Sequence, residues 1–123
     1  MIMVQSTFFL VDETKDDALA LMRVMVQQSR RESGCVSYEY FAGITETNQV
    51  VLLQEWTDAE SLQDHYQSAH MEEFLAKLGL YLESEVITRT YASPDEPIAK
   101  RADARDKAER KLRAANKAPQ TIH

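Results

Sequence analysis

The residues best suited to chemistry in this chain crowd into positions 56–70: Trp56, His65, Tyr66, Ser68 and His70. Imidazole is the one side chain whose unperturbed charge change falls near neutral pH, so His65 and His70 can exchange protons there. Trp56 offers an apolar face and a single N–H donor. The spacing of the histidines, five apart across a helix break, lacks the i,i+4 geometry of a helical metal pair. The chain also shows no glycine-rich phosphate loop, no Cys/His metal pattern and no nucleophile motif. The third histidine, His123, is the last residue given. Each of these residues has a plainer role as well. Trp56 shares a strand with Leu52 and reads as core, His65 can hydrogen-bond structurally, and Ser68 can cap a helix. His70 fits the surface or a subunit contact, and the lone Cys35 a small buried hydrophobe.

The elements that must position this cluster follow from hydrophobic period. Ile2–Val11 reads as a strand with Ile2, Val4, Phe8 and Leu10 on one face and Met3, Thr7, Phe9 and Val11 on the other. Thr14 is expected to cap a helix with Asp16 and Asp17 in its first turn, a buried stripe of Ala18, Leu21, Met22, Met25 and Ser29, and Gly34 as its stop. Cys35–Ala42 is a second strand, with Val36, Tyr38 and Tyr40 predicted on one face and Cys35, Ser37, Glu39 and Phe41 on the other. Val50–Trp56 is the third strand, setting Val50, Leu52 and Trp56 against Val51 and Leu53. Asp58 is expected to cap a short helix with Leu62, His65 and Tyr66. A second short helix from Ser68 or Ala69 carries Met71, Phe74, Leu75 and Leu78 up to Gly79. Glu85–Ala92 alternates as the last strand. The order β-α-β-β-α-β is the α+β, ferredoxin-like pattern, with helices on one face of an antiparallel sheet. The other face would then meet water, yet these strands are apolar on both sides. A second copy packed sheet to sheet is the simplest cover, so a homodimer is expected.

Composition sets the limits. The expected domain is residues 1–93, followed by a charged helical extension over 94–123. Residues 1–94 carry a net charge of −9 and residues 95–123 one of +3, so the main domain would repel phosphates and a nucleic-acid partner is not expected. The extension is dense in Ala, Lys, Arg and Glu, with i,i+4 pairs Asp103–Lys107, Asp106–Arg110 and Glu109–Arg113. A single cysteine excludes an internal disulfide. Met1–Val4 has no positive n-region and no apolar run approaches the roughly 20 residues of a membrane span, so a cytoplasmic protein is expected.

Three stretches in order carry a resemblance: Gly34-Cys35-Val36-Ser37-Tyr38, then Gln54-Glu55-Trp56-Thr57-Asp58, then Leu62-Gln63-Asp64-His65-Tyr66-Gln67-Ser68-Ala69-His70 through Phe74. Over roughly residues 3–92 the chain resembles the antibiotic biosynthesis monooxygenase domain, whose pattern is Gly-Cys-x-x-Tyr, a strand ending in Trp, and Leu-x-x-His-x-x-Ser-x-His. Gln54 stands where many relatives have Glu. The resemblance implies a dimeric α+β barrel and oxidation of a phenol, quinol or polyketide-like molecule by O2 with no cofactor. It also implies a base that deprotonates the substrate, in a pocket that excludes water. On that basis Trp56 would form a pocket wall and donate its N–H, His65 would be the base, and Ser68 and His70 secondary contacts. Tyr38, Tyr40 and Arg89 are added as substrate-binding candidates; Arg89 could pair with a phenolate, or with Glu39 or Glu55 on neighbouring strands. The alternatives are a non-catalytic small-molecule-binding dimer, a structural dimer whose extension recruits a partner, and a haem-degrading relative. The last is disfavoured because the first strand offers Gln5, Ser6 and Thr7 but no Asn.

Overall fold

The computed structural model describes residues 1–94; the expected charged helix falls on residues outside the described ones. Strand β1 (Ile2–Phe9) leads through a 3-10 turn (Asp12–Thr14) into helix α1 (Lys15–Arg30). Strands β2 (Cys35–Ala42) and β3 (Gln49–Trp56) form a hairpin, followed by the short helices α2 (Ala59–Tyr66) and α3 (Ala69–Leu78). A 3-10 turn (Gly79–Tyr81) and strand β4 (Ile87–Ala92) complete the described chain. The sheet order is β2-β3-β1-β4 and every neighbouring pair is antiparallel. This is the expected ferredoxin-like α+β arrangement, with the second helix broken in two.

Strand register explains which side chains meet beneath the helices. Ile2 lies opposite Trp56, Val4 opposite Gln54, Ser6 opposite Leu52 and Phe8 opposite Val50. On the far side of β3, Cys35 faces Trp56, Tyr38 faces Gln54 and Tyr40 faces Leu52. With a period of two, all of these point to one face, and Ile2, Val4, Tyr38, Val50, Leu52 and Trp56 are buried there. Helix α1 covers them with Ala18, Met22, Met25 and Ser29, a stripe one helical turn apart, while Leu21 stays half-buried. Helices α2 and α3 add Leu62, His65, Met71, Phe74, Leu75 and Leu78.

Three local expectations are corrected. The strand β2 register shifts between Cys35 and Ser37, so the simple alternation fails at its start. Cys35 packs against the core, whereas Val36 is exposed rather than on the Tyr38 face; the bulge inserts one residue and reverses parity. Thr14 occupies the N-cap of α1 without a side-chain cap bond: following directly on the 3-10 turn, its backbone sits at φ −114°, ψ 13° and not in the extended conformation that aims a cap side chain at the first turn. Arg89 does not approach Glu39 or Glu55: it faces Gln5 from β4 at one edge of the sheet, while Arg30 engages Glu39 and Ser37 engages Glu55. The expected caps at Asp58 and Ser68 hold, accepting from Ser61 N–H at 2.8 Å and Met71 N–H at 3.3 Å.

The open face of the sheet carries Met3, Phe41, Ile87 and Tyr91, all exposed, beside half-buried Phe9, Val51 and Leu53. The two-sided apolar pattern is therefore real, and no element of the described chain covers it. No helix among the described residues is long and apolar enough to cross a membrane.

Gly34 closes the turn between α1 and β2. Its φ is +88°, and its carbonyl accepts from Thr57 N–H at 2.9 Å, tying the turn to the start of α2. A Cβ there would sit 2.5 Å from Ser61 Cβ and 2.2 Å from Ser61 Oγ. Gly34→Ala is thus expected to cost about 2 kcal/mol or more, the left-handed backbone penalty of roughly 1–2 kcal/mol plus the clash. Urea unfolding of Gly34→Ala and of Gly34→Ala/Ser61→Gly checks it: the second change should recover the steric part only.

Candidate active site

Helix α2 lays His65 directly over the sheet. Its ring lies 4.7 Å from Trp56 and 5.5 Å from Tyr38, centroid to centroid, and it is fully buried. Ser68 ends this helix by donating its hydroxyl to the His65 carbonyl at 2.7 Å while capping α3, so its polar atoms are spent on backbone. The break between the helices also puts His70 in the first turn of α3, its ring 6.1 Å from that of His65. The two histidines therefore meet although no single helix pairs them.

What joins them is Glu32, in the turn after α1, a residue sequence reasoning missed. One carboxylate oxygen, Glu32 Oε2, lies 2.7 Å from His65 Nδ1 and 2.8 Å from His70 Nε2. Burial raises the proton affinity of Glu32, but the hydrogen bonds and charge of His65 and His70 outweigh it, and its carboxyl is held below 4.5. Burial pushes His65 below 6.5, against the pull of Glu32. Near neutral pH the site therefore holds an ionised Glu32 beside a neutral His65. A carboxylate can only accept, so His65 must donate from Nδ1 and His70 from Nε2. Neutral His65 then carries its lone pair on Nε2, which is buried and has no hydrogen-bond partner. The only sequence signal for Glu32 was an acid two residues before the Gly-Cys pair, and nothing local says that it reaches α2.

Trp56 does not offer its N–H to a ligand as expected. Its Nε1 donates to Gln54 Oε1 at 2.8 Å, both groups buried. Neighbours two apart on a strand share a face, so the donor is satisfied within β3. Trp56 is thus a wall of the site and not a hydrogen-bonding contact. Tyr38 is buried on the same face, and burial keeps its hydroxyl protonated at neutral pH, with a strongly raised pKa. Tyr40 packs on Tyr38 with ring centroids 6.0 Å apart and borders a cleft of 270 Å³ between α1 and β2, lined also by Met22, Val26 and Val50. Its hydroxyl is buried beside that of Tyr38, and burial, with the neighbouring Tyr38 hydroxyl, raises its pKa well above the usual phenol value. Arg89 is on the opposite face of the sheet from His65: it alternates with Thr88 and Thr90, which face the core strands under the helices. Of the seven sequence candidates, Trp56, Tyr38, Tyr40, His65, Ser68 and His70 gather under or around α2, and Arg89 does not.

A ferredoxin-like α+β domain with a buried Trp–His contact at the end of its third strand defines the class of protein. A family model described as antibiotic biosynthesis monooxygenase matches residues 1–77, and the chain belongs to that family. A Bacillus subtilis (strain 168) protein named "Putative monooxygenase YcnE" is 32% identical over 77 residues, 63% of this chain and 81% of that one. Among solved structures, Rv0793 from Mycobacterium tuberculosis superposes with a TM-score of 0.72 at 25% identity, covering 77% of this chain and 96% of its own. A conserved protein from Methanosarcina mazei Go1 shares the fold, with a TM-score of 0.73 at 24% identity over 75% of this chain and 91% of its own.

Two predictions follow from the site's bonds. Trp56→Phe strands Gln54 Oε1 in the core, an unmade bond worth about 1–3 kcal/mol, and Trp56→Phe/Gln54→Leu should restore part of the loss in chemical denaturation. The second concerns pH. His65 and Glu32 are both depressed when folded, so the unfolded chain binds more protons as pH falls. Their contribution is present above 6.5 and is lost as pH drops below 6.5 and then through the range under 4.5. Melting temperature should fall across that window, and His65→Gln should flatten its upper part in thermal scans by circular dichroism.

Proposed function

We propose that the chain is a cofactor-independent monooxygenase that oxidises a small phenolic or quinol-type molecule with O2, His65 serving as the base. The observation that carries this is the unpartnered, buried Nε2 of His65, held as the accepting nitrogen by the Glu32 carboxylate on Nδ1. A base needs a defined tautomer and a free lone pair, and Glu32 on Nδ1 supports both; burial lowers the proton affinity of His65, which keeps the ring neutral and ready to accept at neutral pH. His65 Nε2 takes the substrate's hydroxyl proton. The electron-rich anion then bonds through carbon to O2, and the hydroperoxide expels water to leave a carbonyl, one oxygen atom in each product. Glu32 stabilises the imidazolium formed on the way. Trp56 and Tyr38 supply apolar walls that keep water from the anion.

The cleft beside Tyr40 is the proposed entry. At 270 Å³ it lies at the small end of ligand pockets, about 300–1,000 Å³, which favours one or two fused rings over a polycycle. Ring contacts run from Tyr40 through Tyr38 to His65, so a substrate entering there would have to displace the buried Tyr38 ring to reach Nε2. The Tyr40 hydroxyl would exchange its contact with Tyr38 for the substrate's oxygen. The exposed Met3, Phe41 and Tyr91 on the open face support a homodimer formed sheet to sheet. A non-catalytic binding module is the second reading, favoured by the complete burial of both Trp56 and His65.

An oxygen electrode with a panel of hydroquinones and naphthols decides between them. Uptake above autoxidation is expected, rising with pH through the depressed titration of His65 and level above 6.5. His65→Gln should lower kcat by about 10²–10⁴-fold, the usual worth of a general base. Tyr40→Phe should raise KM with less effect on kcat. Ligand binding without oxygen uptake would support the binding module, and equal rates for wild type and His65→Gln would remove His65 as base.

A further inference from the structure

The geometry points to a binding site for a divalent transition-metal ion formed by Glu32, His65 and His70, in which the ion replaces the two hydrogen bonds to Glu32. Three elements far apart in sequence each bring one ligand atom: Glu32 Oε2, His65 Nδ1 and His70 Nε2 all lie within 4.8 Å of one another. Two imidazoles and one carboxylate are a donor set for Zn2+, Co2+, Ni2+ or Fe2+, not for Ca2+ or Mg2+, which prefer oxygen.

The fit needs His65 Nδ1 and His70 Nε2, now within 4.8 Å of each other, to close on the ion while Glu32 opens away from both. Ligand atoms about 2.0–2.1 Å from an ion lie roughly 3.0–3.4 Å apart, whereas Oε2 is 2.7 and 2.8 Å from the two nitrogens. The carboxylate must therefore back away by about half an ångström as the nitrogens turn to the ion. Glu32 sits in a turn and His70 in the first turn of a helix, so both can adjust; His65, pinned between Trp56 and Tyr38, is the fixed ligand. His70 and Glu32 keep 21% and 17% of their side-chain surface exposed, which leaves an approach for the ion and room for water to complete its coordination. Two neutral imidazoles and one carboxylate bring a single negative charge, so a divalent ion is held without excess repulsion among the ligands.

Coordination uses the Nδ1 lone pair and moves the imidazole proton to Nε2. If His65 is the base proposed above, a bound ion removes that base, and the metal acts as an inhibitor and not as a cofactor. The binding claim itself does not depend on that reading.

The test is titration of the tag-free full chain with Co2+ and Zn2+. Co2+ should give a visible d–d absorption at one equivalent, and calorimetry should give one Zn2+ site that displaces it. His70→Ala and Glu32→Gln change half-exposed residues, and circular dichroism will report their folding. Outer-shell changes at metal sites already cost about 10–100-fold, so losing a ligand should weaken Zn2+ binding by about 100-fold or more. Absence of a Co2+ band in the wild type, or equal affinity in wild type and both variants, overturns the site. Oxygen uptake with and without Zn2+ reads the second consequence separately: tight binding without inhibition keeps the site and removes His65 as base.

Discussion

A single carboxylate oxygen, Glu32 Oε2, accepts from two imidazoles and so joins the turn after α1 to α2 and α3. The rest of the site depends on this. Ionised Glu32 fixes which nitrogen of His65 bears hydrogen, and burial keeps that ring neutral. The outcome is a fully buried imidazole with one nitrogen bonded to a carboxylate and the other left without a partner. Remove the carboxylate and His65 would hold two unmet polar atoms in the core, a costly state for any buried group.

The same end of the molecule shows how neighbouring strands divide polar duties. Gln54 lies between Tyr38 and Val4 across the sheet and satisfies the Trp56 N–H two residues away. An acid at that position would be a buried charge with no cation from the described chain beside it among these partners; the amide costs less to bury. The amide at position 54 is thereby compatible with a closed, apolar wall around His65. Within the buried layer His65 Nε2 has no hydrogen-bond partner, and ring contacts run from it through Tyr38 to Tyr40 at the edge of the α1–β2 cleft.

Much of the fold was legible because period-two and period-3.6 patterns report burial directly. The stripe Ala18–Met22–Met25–Ser29 and the alternation Val50–Leu52–Trp56 fell where expected. Parity failed at the start of β2, since a bulge adds one residue without changing composition: Val36 turns out and Cys35 turns in. Arg89 was offered as a substrate contact, yet no one-dimensional pattern could say that its face of β4, shared with Gln5, looks away from α2.

By itself the sequence determined the elements, their caps at Asp58 and Ser68, the apolar character of both sheet faces and the concentration of chemistry between Trp56 and His70. Those are local properties, set by side-chain type and spacing. Only the tertiary structure decided that Glu32 reaches His65 and His70, that Gln54 takes the Trp56 N–H, and which nitrogen of His65 is free. These partners are 33 and 38 residues apart in two cases, and their meeting depends on how α1 ends and how α2 breaks from α3. Hydrogen bonds over such separations leave no periodic trace, because their geometry is a property of packed elements and not of the chain that forms them.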